Sequence, residues 1–339
     1  MILLDSLQNP PIKTPLLQKL ISPKFPNFQA ITPNTAQKIQ QENKALSEFL
    51  GMQRVRPFSF STETFYYLLS KLSLQYKIAL ALSASPLLYY AYLSHPNKED
   101  FIPLIPDKKS GKLDLKTAKD KGANCFILPY LNEDILTLNA CFDDFFEERD
   151  FVVWDISYAL SLGLPLPKRA NIFLANGENL GLMRPFGILA SQKSDFYGLG
   201  ETYLEIENLY GVFLEAIQSQ ENLKEDYAKE FFECLKSHLQ DSCYLFYPTP
   251  KNTLALGLKG NRARDLIQGL IFDEIQLING AECLYGFLRP SFVLQLMGYT
   301  ETQARELLSL SFYDKKADLK KIAYKIAQKY QQLQRLKEE

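Results

Sequence analysis

Few side chains in this 339-residue sequence have the type and spacing to do chemistry. Five cysteines (Cys125, Cys141, Cys234, Cys243 and Cys283) are unevenly spaced and form no CxxC. That pattern excludes a disulfide scaffold and a zinc ribbon, and points to a reducing, cytoplasmic setting. Only His95 and His238 carry imidazoles, which all but excludes a multi-histidine metal site. Both sit among polar neighbours and are predicted to be exposed. Cys283 could act as a nucleophile, but a free cysteine is more commonly packed, and the adjacent Glu282 would raise its pKa. Asp155 closes the apolar run 151–154. A carboxylate at the end of a strand either caps the following turn or faces a bound group. The sequence contains no GxGxxG, GxxxxGK[ST], GxSxG or HExxH.

The elements that would position these groups alternate. Short continuous apolar runs at 77–82, 125–129, 151–155, 171–175 and 186–190 read as strands of a parallel sheet covered on both faces. Between them, 62–72 reads as a helix opened by Ser61 and Thr62 ahead of Glu63, and 202–218 carries a helical apolar stripe. The fold class is α/β, with a mainly parallel sheet and helices on both faces. After about residue 220 the texture becomes α+β: a helix at 228–239, short strands near Tyr244 and Leu254, a helix at 263–272, and a long C-terminal helix at 315–339. We expect a large domain over 12–220 and a smaller α+β domain over 221–339 together with 1–11.

Charge and hydropathy remove several function classes. The formal net charge is −1, so nothing in the overall balance argues for nucleic acid or anionic lipid. The longest apolar stretch, 78–93, is interrupted by serines and Pro86, and no run is long enough for a spanning helix. The first residues carry Asp5 and no basic region, so no signal peptide is expected.

Weak local signals fall in a telling order. Asn279-Gly280-Ala281-Glu282-Cys283, then Leu288-Arg289-Pro290-Ser291-Phe292-Val293-Leu294 and Met297-Gly298, resemble the cysteine loop and following helix of the NifS/IscS-like cysteine desulfurases. These belong to the class V aminotransferase group of fold type I pyridoxal-phosphate (PLP) enzymes. Cys283 stands seven residues before Pro290, a spacing similar to that of the family's nucleophilic cysteine. Phe58 to Glu63 resembles the turn that holds the cofactor phosphate, where Ser61, Thr62 and helix-start amides would suit a dianion. Asn132-Glu133 falls at the family's Asn-Glu pair beside the ring. Asp155 corresponds to the aspartate that pairs with the pyridine nitrogen and keeps it protonated. Gly200 to Thr202 resembles the turn that reaches the partner subunit's phosphate. The resemblance covers nearly the whole chain and implies a PLP-transferase-like fold, a homodimer, and an amino acid as possible ligand.

The departures from the family pattern fall on its catalytic roles. Glu178 stands where the Schiff-base lysine is expected, in Asn176-Gly177-Glu178-Asn179, and no lysine lies between Lys168 and Lys193. The ring-stacking histidine is replaced by Ser83-Ala84-Ser85-Pro86, and Tyr158 takes the place of a glutamine or histidine. Ser309 stands in place of the arginine that grips a carboxylate, offering one donor instead of a fork. The reading implied is a desulfurase- or aminotransferase-like protein without covalent PLP catalysis, with a binding or scaffolding role. The alternative is an enzyme that holds PLP or its amine form non-covalently, or through a lysine elsewhere, Lys193 being the nearest.

Overall fold

The computed structural model describes residues 2–21, 33–183, 186–192, 208–220, 225–280, 289–313 and 318–338. The expectations at Lys193, Gly200, Thr202, Glu282 and Cys283 lie outside the described residues.

Seven strands form one sheet: β1 (Arg54–Pro57), β2 (Ile78–Ala81), β3 (Phe101–Leu104), β4 (Cys125–Pro129), β5 (Phe151–Asp155), β6 (Ile172–Ala175) and β7 (Ile188–Ser191). Their spatial order is β1-β7-β6-β5-β4-β2-β3. Only β7 runs against its neighbours, pairing antiparallel with β1 and β6. This is the mainly parallel, helix-covered sheet of fold type I PLP-dependent enzymes. β4 and β5 occupy the predicted residues to the position.

The strands are apolar on both faces because both faces are covered. Phe126, Leu128, Val152, Trp154 and Phe173 pack on one side with Leu16, Leu20, Leu46 and Phe213 from flanking helices. The alternating residues Cys125, Ile127, Phe151, Val153 and Ile172 pack on the other side with Phe65, Leu68, Leu69 and Leu88. Successive strand side chains point to opposite faces, so a run buried on both shows no polar alternation.

Two strands of this sheet lie outside the sequence expectation, β1 and β3. Both lie at sheet edges, and both carry residues that mask a strand signal: Arg54, Arg56 and Pro57 in one, Pro103 in the other. Edge strands accept charge and proline because one side of the ladder needs no partner. His95 is a second correction. It is only 6% exposed, with its ring 4.8 Å from that of Phe101 and 5.5 Å from that of Tyr66. The helix Pro86–Ser94 ends there and turns the imidazole inward, although its sequence neighbours are polar.

The later residues build a second sheet in the order β10-β9-β8, from β8 (Cys243–Leu245), β9 (Thr253–Leu258) and β10 (Leu307–Ser311), all antiparallel. Helices Tyr227–Leu239, Ala263–Ile271 and Leu319–Glu338 cover it through Phe231, Leu266, Ile322 and Ile326. The N-terminal residues join this part: Ile2 and Leu3 pair in parallel with Ile275 and Gln276, and Leu4 enters the same apolar cluster. Among the described residues no helix is long and apolar enough to cross a membrane.

Candidate functional site

The C-terminal ends of β4, β5 and β6 lie side by side, with Pro129 opposite Asp155 and Asp155 opposite Leu174. The segments that leave these ends meet in one pocket, the usual ligand position in an open α/β sheet. From β5 come Asp155, Ser157 and Tyr158; from the turn after β6 come Asn176, Glu178 and Asn179; from the segment after β4 comes Glu133. Phe60, Ser85 and Gln8 complete the lining, and the cavity measures about 20 Å³.

Asp155 is committed locally. Its Oδ1 accepts the Ser157 amide at 3.0 Å and the Ser157 hydroxyl at 2.5 Å, so it caps the turn that opens the helix Ser157–Ser161. The same carboxylate lines the pocket, so the two readings of this residue are not exclusive. Ser157 Oγ also accepts the Asn176 amide at 2.8 Å and ties the β5 and β6 exits together. Asn176 in turn accepts the Glu178 amide at 3.1 Å and donates to its carboxylate at 3.1 Å. Glu178 therefore shares the pocket with Asp155, and its turn is hydrogen-bonded into place.

Asn132 does not line the pocket. It is fully buried, donating to Thr137 Oγ1 at 2.7 Å and accepting from Ser83 Oγ at 2.5 Å and Asn139 Nδ2 at 3.1 Å. Ser83 is thus a partner of Asn132, and Ser85 alone of that pair reaches the pocket. The segment that follows contains two non-glycine residues in the left-handed region, Asp134 at φ 62° and Leu136 at φ 54°. That geometry carries Glu133 to the pocket while Asp134, 1% exposed, turns away and accepts from Ser291 Oγ at 2.7 Å. Ser309 is buried and donates to the Asp134 carbonyl at 2.6 Å, so it serves this segment and does not line the pocket.

The pocket is acidic. Burial pushes the Glu133 carboxyl well above its ordinary range, and Asp155, Asp134 and Glu178 add to the shift by repulsion. Asp155 is raised by burial as well, against the opposing hydrogen bonds from Ser157. Among the described residues no lysine or arginine lines the cavity. No group of three His, Cys, Asp or Glu among the described residues is arranged to hold a metal.

Ser61 and Thr62 open the helix Thr62–Ser73. Ser61 Oγ accepts the Thr64 amide at 3.2 Å, satisfying one of the free amides of the first turn. The Glu63 carboxylate is held below its ordinary range by its own backbone amide and the Ser61 hydroxyl. Phe58, Phe60 and Phe65 meet edge to face at 5.3–5.4 Å and fix this turn on the end of β1.

Sequence reading missed Gln8. It is 4% exposed, lines the pocket, and its Nε2 has no hydrogen-bond partner, while Oε1 accepts from Ser311 at 3.3 Å. Leu7 beside it donates to Ser311 Oγ at 2.7 Å and accepts from Asn179 at 3.0 Å. These partners are 172 to 304 residues away, and no local pattern carries such a contact. Gln192, the last described residue before Lys193, donates its amide to Asn171 at the start of β6.

Solved structures with the same fold cover almost the whole chain. An apo cysteine desulfurase from Thermococcus onnurineus aligns at a TM-score of 0.74 and 13% identity, over 97% of this chain and 94% of its own. A NifS-like protein from Rickettsia africae aligns at 0.72 and 14%, over 98% and 99%. A structure of SPT with PLP as an internal aldimine aligns at 0.63 and 13%, over 95% and 82%. No family model and no curated protein sequence matches the chain. At these identities the likeness establishes the fold: that of the NifS-like cysteine desulfurases and related PLP-dependent enzymes.

Proposed function

We propose that this chain is a cysteine desulfurase- and class V aminotransferase-like protein that has given up covalent PLP catalysis and works by binding. The observation that carries this reading is Glu178. It stands in the turn after β6, in one pocket with Asp155 and Glu133, and among the described residues none that lines that pocket offers an amine. A Schiff base needs a lysine nitrogen, and proton transfer at a substrate carbon needs a positioned base.

The residues present do not fit a bound PLP. A cavity of about 20 Å³ has room for one or two waters, against the roughly 300–1,000 Å³ usual for small-molecule sites. Among the described residues three carboxyl groups line the space, and no lysine or arginine there meets the charge of a phosphorylated cofactor. Ser309, in place of a carboxylate-gripping arginine, is consumed by the Asp134 carbonyl. No reaction step is therefore assigned to the cofactor here. The homodimer and the cytoplasmic setting implied by the resemblance belong to this reading as proposals.

The test is reduction of the purified protein, incubated with PLP, by borohydride, followed by mass spectrometry of its peptides. The expected result is no phosphopyridoxyl-lysine and no sulfide from added cysteine, in wild type or in Cys283→Ala. A stoichiometric adduct on Lys193 or any other lysine would overturn the proposal.

A further inference from the structure

We propose that the chain carries a binding site separate from the Asp155 pocket, one that takes a small molecule with an apolar body and a positively charged amine. The site is a cavity of about 600 Å³. It lies among the ends of helices Pro33–Phe49 and Leu209–Gln218 and the turn that follows helix Ser157–Ser161. None of its described lining residues also lines the pocket at Asp155.

Size and lining call for an apolar body. The cavity falls within the roughly 300–1,000 Å³ usual for small-molecule sites, whereas the Asp155 pocket, at about 20 Å³, does not. Phe49, Leu50, Leu160, Leu164, Leu166 and Ile217 form its walls. Phe49 is 48% exposed, and Leu164 and Leu166 are half-buried, so the walls keep apolar surface for a ligand to cover. Gly51 and Gly163, at φ 65° and 61°, turn the chain at two of the helix ends and line the cavity as well. A Cβ added at Gly51 would meet nothing within 4 Å, so the wall is open there.

The polar part of the lining selects the sign of charge. Helices Pro33–Phe49 and Leu209–Gln218 both end at the cavity, and neither has a basic residue in its last turn. The C-terminal end of a helix attracts cations through its carbonyls and the negative end of its dipole. The chain itself uses one of these ends in that way: Lys13 Nζ donates to the Ala216 carbonyl at 2.9 Å and to Ser219 Oγ at 2.8 Å. Among the described residues lining the cavity, Glu48 alone is charged. Its contact with Lys44 is 3.8 Å long, with side chains 67% and 75% exposed, so that pair is weak and leaves the carboxylate open to a second cation.

Calorimetry on the full chain at pH 7 and low ionic strength, with octylamine, 1-octanol and octanoate as matched probes, tests this. Wild type, Glu48→Gln and Leu164→Trp are compared, with circular dichroism confirming the fold. Octylamine is expected to bind wild type one-to-one with a submillimolar Kd, octanol about fivefold more weakly, and octanoate not at all up to millimolar concentration. Glu48→Gln should narrow the gap between amine and alcohol by about twofold or more. Leu164→Trp, which fills the cavity, should weaken octylamine by about tenfold or more. Should the tryptophan variant fold poorly, Phe49→Ser removes a wall at an exposed position and is expected to weaken octylamine similarly. Absence of saturable octylamine binding by wild type overturns the proposal, as does octanoate binding as tightly as octylamine. An amine preference unchanged in Glu48→Gln, or octylamine binding undiminished in a folded wall variant, overturns it as well.

Discussion

Asp134 and Ser291 are 157 positions apart in the chain, and their side chains meet at 2.7 Å in the interior. The bond joins the segment that delivers Glu133 to the pocket with the turn that opens helix Phe292–Leu296, where Ser291 also caps the Leu294 amide at 3.2 Å. Ser291→Ala removes a donor to a buried carboxylate and a helix cap together. The expected loss is about 2–4 kcal/mol, read from the urea midpoint. A change below about 0.5 kcal/mol would mean that Asp134 is held in place by its other contacts.

Glu133 should make stability fall as pH rises. Burial first, then repulsion from Asp155, Asp134 and Glu178, holds its folded-state pKa well above the ordinary 4.5. The folded chain keeps a proton that the unfolded chain releases near that value, so stability declines from there upward through the folded pKa. Asp155 acts in the same direction. Glu133→Gln, which mimics the protonated form, should raise the melting temperature at about pH 8 and change little at about pH 4.5. An equal effect at both pH values would show that charge is not the cause.

Gly177 has no room for a side chain. A Cβ there would stand 2.0 Å from the Phe186 carbonyl oxygen and 3.2 Å from the Leu182 Cβ. The close approach sets the turn that presents Glu178 beside Asn176. Gly177→Ala should cost about 1–3 kcal/mol through forced backbone movement, measured by thermal melting. A neutral result would show that this turn moves without penalty, and that Glu178 is not fixed where the pocket places it.

Glu178→Lys and Asn179→Lys place an amine in the lining of the pocket from either of two adjacent positions. With about 20 Å³ of space and the neighbouring acids intact, neither variant should develop a visible band on adding PLP. Colour from one of them would show that the cavity opens readily, and would identify which position takes the amine.

The sequence disclosed the parts of this molecule whose signal is local. β4 and β5 are long enough, and buried evenly enough, for their apolar runs alone to give their limits. The cap at Ser61 and the strand-end position of Asp155 follow from residue type and neighbour. β1 and β3 escaped because arginine and proline are permitted at an edge and not within a sheet. Gln8 escaped for a different reason: its place is fixed by Ser311 and its neighbour's contact with Asn179, and tertiary return of the chain leaves no periodic trace. His95 shows the same limit, since burial depends on where a helix ends and not on the polarity of adjacent residues.

The N-terminal segment has a consequence for synthesis. Ile2 donates to the Glu274 carbonyl, Leu4 accepts from Ser311, and Leu7 donates to the Ser311 hydroxyl 304 positions on. A ribosome adding about 5–20 residues per second releases these first residues roughly 15–60 seconds before their partners exist. The seven-stranded sheet can assemble during that interval, but Gln8 and the wall it provides wait for the last part of the chain. The pocket is therefore among the last features of the nascent protein to be completed, and a truncated product would present it open on the side that Gln8 closes.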